Sequence, residues 1–134
     1  MRIWARIFGA SDPKGELAPG RGWTVRVVGE SQYQAALARQ YRKHGGTEHD
    51  VKVTAELLPQ ADNEHDANAV RVMVGGAVVG YLPREAAAEY CAALGDTAGR
   101  CSAKIVGGYV LEDGERASYG LKLNAAWPPR FKTN

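Results

Sequence analysis

Cysteine is scarce. Cys91 and Cys101 are the only two in 134 residues. Two thiols without a CxxC spacing build neither a disulfide framework nor a zinc site, so they are expected to be reduced side chains in or near the core. Long apolar runs are missing as well. No stretch approaches the roughly 20 apolar residues of a membrane-spanning helix, so no membrane partner is expected. No such run follows Arg2 either, so no signal peptide is expected and the cytoplasm is the expected location. Charge of one sign is also lacking. The 17 Lys and Arg against 15 Asp and Glu leave +2, too small an excess to argue for nucleic acid by itself. There is no internal repeat and no low-complexity segment.

What is present suits one globular unit. Hydrophobic residues make up 45% and charged residues 24%, enough apolar side chain for a real core in a single domain spanning 1–134. Sixteen glycines favour many turns and short strands over long helices. Residues 2–8 alternate in part and read as a strand, followed by a loop over 9–21. Residues 23–28, Trp-Thr-Val-Arg-Val-Val, read as a second strand ended by Gly29. Ser31 and Gln34 have the spacing of a capping box and predict a helix start. Tyr33, Leu37 and Tyr41 recur every four residues on one face of that helix, and Gly45-Gly46 stops it.

Residues 51–58 alternate as a strand, closed by Pro59. Ala69 to Val74 and Ala77 to Tyr81 flank Gly75-Gly76, a tight hairpin signal. Pro83 stands where a helix begins, and Arg84 to Leu94 is Ala-rich. Residues 101–111 and 117–125 make a last hairpin around Asp113-Gly114. The tail from Trp127 carries Pro128-Pro129 and is expected to be loose or held by its aromatics. About seven strands and two short helices predict a mainly β, α+β fold: a small antiparallel sheet closing into an OB-like β-barrel flanked by the helices.

The chemistry concentrates in two places. In the run Asn63-Glu64-His65-Asp66-Ala67-Asn68-Ala69-Val70, a polar loop drops straight into a buried strand. Asp62, Asn63, Asp66 and Asn68 can cap their own backbone, or they can present acceptors to a ligand. A calcium loop opening at Asp62 fails, because it would need Gly where Ala67 stands and a bidentate Glu where Met73 stands. His65 beside two acids is a weak metal or base signal, with no paired nucleophile and no His at a helix-facing spacing. No catalytic residue, metal or cofactor is therefore assigned. The second place is the pair of strand-to-helix junctions. Ser31, Gln32 and Tyr33 lie at the first, where Tyr33 reads first as a core anchor of the helix, and Ser31 with the first free helix amides could alternatively hold an anion. Tyr81 and Arg84 lie at the second. Tyr81 is core or stacking platform, and Arg84 opposes the helix dipole, so a ligand phosphate would explain it better than helix stability does.

These segments resemble a known family. Gly29-Glu30-Ser31-Gln32-Tyr33-Gln34, then a strand into Leu58-Pro59, then Asn63-x-x-Asp66-x-Asn68-Ala69-Val70-x-Val72, then Val79-Gly80-Tyr81-Leu82-Pro83-Arg84, resemble the HIRAN domain in order and spacing over about residues 23–125. The resemblance implies a stand-alone, non-catalytic module on a small OB-like β-barrel. It implies a role in DNA repair or processing, with single-stranded DNA held by its 3′-hydroxyl end, alone or alongside a helicase, nuclease or other DNA-processing protein. Asp66 would then read the terminal hydroxyl, with Asn63 in support, and Arg84 would hold a phosphate. Ser31, Gln32, Tyr33, His65 and Tyr81 would complete the site. His65 stands where such binders carry a stacking aromatic. Ser31 and Gln32 stand where they carry a basic and an aromatic residue.

Two other classes stay open at this point. A protein-interaction module could use the same barrel through an exposed apolar patch, around Trp4, Trp23 or Trp127. A metal-dependent hydrolase or nuclease would use Asp62, His65 and Asp66.

Overall fold

The computed structural model describes residues 15–47 and 49–133. The strand expected at 2–8, and Trp4, lie outside them. Among the described residues seven strands and two helices follow in order: β1 Gly15–Glu16, β2 Val25–Arg26, a 3-10 turn Glu30–Gln32, α1 Gln34–Lys43, β3 Val51–Pro59, β4 Val70–Val74, β5 Ala77–Tyr81, α2 Arg84–Leu94, β6 Gly99–Val106 and β7 Gly120–Asn124.

All seven strands form one sheet, ordered β2-β7-β6-β3-β4-β5, with the short β1 added in parallel to β6. The long central pair, β3 and β6, runs antiparallel from Val51 opposite Ile105 to Leu57 opposite Gly99. Period-two alternation sets which side chains enter the core. Val51, Val53, Ala55 and Leu57 of β3 point inward. They meet Cys101, Ala103 and Ile105 of β6, Val70, Val72 and Val74 of β4, and Leu121 and Leu123 of β7. Leu37 and Tyr41 of α1 and Ala87 and Tyr90 of α2 cover this apolar face. Tyr90 is fully buried, and its hydroxyl donates to the Thr97 carbonyl at 2.8 Å.

The expected closed OB-like barrel is not formed. The sheet is an open half-barrel that turns through 215° and leaves its edges 9 Å apart. Paired strands lie about 4.8 Å apart, so the two edges do not pair along their length. The reason is the shortness of β2, which pairs with β7 only at Val25–Leu123 and Arg26–Lys122. A single bridged pair pins the seam, with Val28 and Tyr81 exchanging both backbone hydrogen bonds at 2.8 and 2.9 Å. Gly80 permits that approach. A Cβ there would stand 2.5 Å from Val27 Cγ1 and 2.7 Å from the Val28 carbonyl oxygen.

Local corrections follow the same physics. The strand expected over 23–28 shrinks to two residues, and β1 appears inside the expected 9–21 loop. The Ser31–Gln34 capping box is absent, because a 3-10 turn occupies Glu30–Gln32 and Tyr33 takes the N-cap position without a side-chain bond. Gln34 is drawn elsewhere. Its Nε2 donates to the carbonyls of Glu30 and Tyr119, and its Oε1 accepts from the Tyr119 amide at 2.8 Å. The Gly75-Gly76 hairpin forms with both residues at positive φ, 59° and 82°. The tail is held by its aromatics, since Trp127 and Phe131 pack against the core and Trp127 Nε1 donates to Glu89 at 3.0 Å, and by a backbone bridge between Phe131 and Leu17.

Candidate functional site

The loop between β3 and β4 builds itself from nested polar turns. Asn63 Oδ1 accepts from the amides of His65 and Asp66, at 2.8 and 3.1 Å. Asp66 Oδ1 accepts from the Asn68 amide at 2.9 Å, and the Ala69 amide donates to the Asp66 carbonyl. One oxygen of Asn63 and one of Asp66 are thus spent on capping, as Asx residues in turns commonly are. The second carboxylate oxygen of Asp66 is not. It lies 3.8 Å from Nε of Arg84, the first residue of α2. The Arg84 side chain is 83% exposed and that of Asp66 26%, so the pair sits at a rim and contributes little to stability.

A groove of about 420 Å³ opens beside this rim. Gln32 and Tyr33 line it from the first junction. Asn63, His65 and Asp66 line it from the loop, and Tyr81 and Arg84 from the second junction. Ala69 and Leu82 complete it. Of the eight candidate residues, the fold thus brings seven together across 53 positions of sequence, Gln32 to Arg84. Ser31 is the exception. It is exposed in the 3-10 turn and does not line the groove. His65 stands out into solvent, its side chain 88% exposed and its Nε2 3.7 Å from Glu64.

The wall of the groove is phenolic. Burial first, and the neighbouring Tyr81 second, push the Tyr33 hydroxyl above its ordinary 10. Arg71 opposes that shift electrostatically. Tyr33 therefore stays protonated and can donate. Of its two readings the half-buried Tyr33 takes the second: it lines the groove and belongs neither to the buried core cluster nor to the side chains packed against it.

Two residues escaped the sequence reading. Arg71 lies opposite Tyr81 in the β4–β5 ladder, and its Nε is buried without a hydrogen-bond partner among the described residues. The only sequence signal was a charged residue inside an apolar strand. Glu30 is the other. Its carboxylate accepts from the Leu121 amide at 2.6 Å, just past the last β2–β7 pair, and so replaces the strand partner that β2 fails to supply. Burial outweighs that bond and the nearby Arg26, and raises the Glu30 pKa from its ordinary 4.5.

Among the described residues no group of three or more His, Cys, Asp and Glu side chains is placed to hold a metal ion. Asp62 does not line the groove. Cys91 and Cys101 are both free thiols. No helix among the described residues is long and apolar enough to cross a membrane.

The HIRAN domain family model matches residues 28–122, which run from the seam bridge through both junctions into β7. The chain belongs to the HIRAN family. The match holds every groove residue and most of the sheet, so this HIRAN domain carries its candidate site within the family's own span. No curated protein and no solved structure matches the chain.

Proposed function

We propose that this HIRAN domain is a non-catalytic module that binds single-stranded DNA and recognises the 3′-hydroxyl end in the groove beside Asp66. One observation carries the reading: Asp66 lines the groove with a carboxylate oxygen left over from turn capping, next to an exposed arginine and a phenolic wall. A carboxylate accepts a hydrogen bond from a sugar hydroxyl and repels a terminal phosphate. Arg84 is placed to hold the preceding phosphate as a charged fork. Tyr81 and Tyr33 offer an aromatic wall to the last base, and the exposed His65 imidazole offers a smaller face. Nothing in this set reads a base edge, so the selection is for an end and not for a sequence. Arg71 adds positive charge behind the wall.

The test is fluorescence anisotropy with paired oligonucleotides of one sequence, ending in 3′-hydroxyl or 3′-phosphate. The hydroxyl end binds more tightly, and Asp66→Ala removes the difference. Equal binding of both ends by the wild-type protein refutes the reading. Incubation with single-stranded DNA and magnesium or manganese leaves the strand intact; cleavage would revive the hydrolase alternative.

A further inference from the structure

A second groove, of about 600 Å³, lies at the other end of α1. It is lined by Tyr41 and Arg42 of the helix and by Tyr109, Arg116 and Tyr119 of the long β6–β7 connection. That connection is a built element. Val110 bridges Arg116, the Leu111 amide donates to Glu115, and the Ala117 amide donates to Tyr109. Arg116 is fixed in place by donating from Nη1 to the Gly108 carbonyl at 2.8 Å, while the residue stays exposed. Gln34 ties the connection to the start of α1 through the backbone of Tyr119.

The helix between the two grooves has an unusual charge pattern. Its sequence, Gln-Ala-Ala-Leu-Ala-Arg-Gln-Tyr-Arg-Lys, contains no acid. Leu37, Gln40 and Tyr41 face the core, which leaves Arg39, Arg42 and Lys43 exposed, at the i, i+3 and i+4 spacing of one helix face. The acids of the hairpin turn, Glu112, Asp113 and Glu115, do not line the second groove. Tyr109 stands 54% exposed beside it. The last-turn Arg42 and Lys43 suit the helix dipole, so what points to a ligand is not their charge alone but their place beside the groove of Tyr109 and Arg116. Three cations in the C-terminal half of the helix, beside a groove that adds Arg116 and an exposed phenol, match a phosphodiester strand with bases.

We infer that the exposed face of α1 and the groove at Tyr109 form a second subsite for the same strand, upstream of its 3′ end. The inference rests on the end-binding reading proposed above. α1 has ten residues and spans about 15 Å, a distance that a few nucleotides of extended strand cover. Arg39, Arg42 and Lys43 neutralise backbone phosphates along the way, and a base stacks on Tyr109 between Arg42 and Arg116. The subsite carries affinity without sequence preference.

The experiment compares 5′-labelled oligothymidines of about three and about ten nucleotides, within the site sizes that small β modules cover, both ending in 3′-hydroxyl. The longer strand binds at least about tenfold more tightly. Its salt dependence is steeper by about two in log–log slope, for roughly three additional phosphates at ~0.7 each. Tyr109→Ala removes about fivefold to a hundredfold from the longer strand, the range that loss of one stacked base covers. Charge reversal at both Arg39→Glu and Arg42→Glu brings the longer strand down to the affinity of the shorter. Neither variant changes binding of the short strand or its 3′-hydroxyl preference. A length gain that survives both variants, or no length gain in the wild-type protein, overturns the inference while leaving the end reading intact. A variant-sensitive length gain without 3′-hydroxyl preference supports the subsite and overturns the end reading. Absence of binding at either length overturns both.

Discussion

Replacing Asp66 by asparagine should invert the end preference, and not merely weaken binding. The amide keeps an oxygen to accept from the Asn68 amide, so the turn survives and stability stays within about 0.5 kcal/mol. What changes is the other oxygen, 3.8 Å from Arg84, which a neutral NH2 replaces while the first keeps the cap. A hydrogen bond from a sugar hydroxyl to that charged oxygen contributes about 1.5–3 kcal/mol, so the 3′-hydroxyl strand loses about ten- to a hundredfold. The 3′-phosphate strand gains. Removing a like charge about 4 Å away relieves on the order of 1 kcal/mol in a water-filled groove, up to about 4 in a drier one. Arg84, no longer facing a carboxylate, adds its attraction in the same direction. The assay is competition anisotropy of both strands against the Asp66→Asn variant and the wild-type protein at one salt concentration. Opposite shifts for the two ends support the reasoning, since a damaged fold would weaken both. A parallel fall of both affinities, or no change in either, refutes it.

Other outcomes follow from neighbouring features. Gly80→Ala places a methyl against Val27 and the Val28 carbonyl, should cost about 1–3 kcal/mol by overpacking, and should loosen the seam; chemical denaturation and the hydrogen-exchange protection of the Val28 and Tyr81 amides measure both effects. His65→Trp exchanges an exposed imidazole for a larger stacking face and should tighten single-stranded DNA several-fold without altering the 3′ preference, read by the same anisotropy titration. Glu30 has a raised pKa, so the native state holds that proton to higher pH than the unfolded chain does. Its contribution to stability is complete below pH 4.5 and is lost as pH rises through the raised value. Glu30→Gln, which still offers an acceptor to Leu121, should flatten that part of the urea-midpoint curve, whereas Glu30→Ala should cost about 1–3 kcal/mol by orphaning the amide.

The sequence by itself determined the local elements where one physical signal dominates. The alternation of β3, the Gly75-Gly76 hairpin, and α2 from Arg84 to Leu94 could be read because period, positive φ and helix propensity act within a few residues. Family membership was also legible, since its motifs are spaced along the chain and need no tertiary contact to be seen. Other features only the tertiary structure decided. Gln34 left its expected cap because the backbone of Tyr119, 85 positions away, offers it both a donor and an acceptor. Glu30 became a surrogate strand partner only because β2 ends early against β7. Whether the sheet closes depends on how far its edges stand apart, a sum of twists and strand lengths that no single segment encodes, and here it stays open. The groove is likewise a product of packing: the residues were nameable, but their convergence waits on the seam pair, Val28 and Tyr81, that draws the two junctions together.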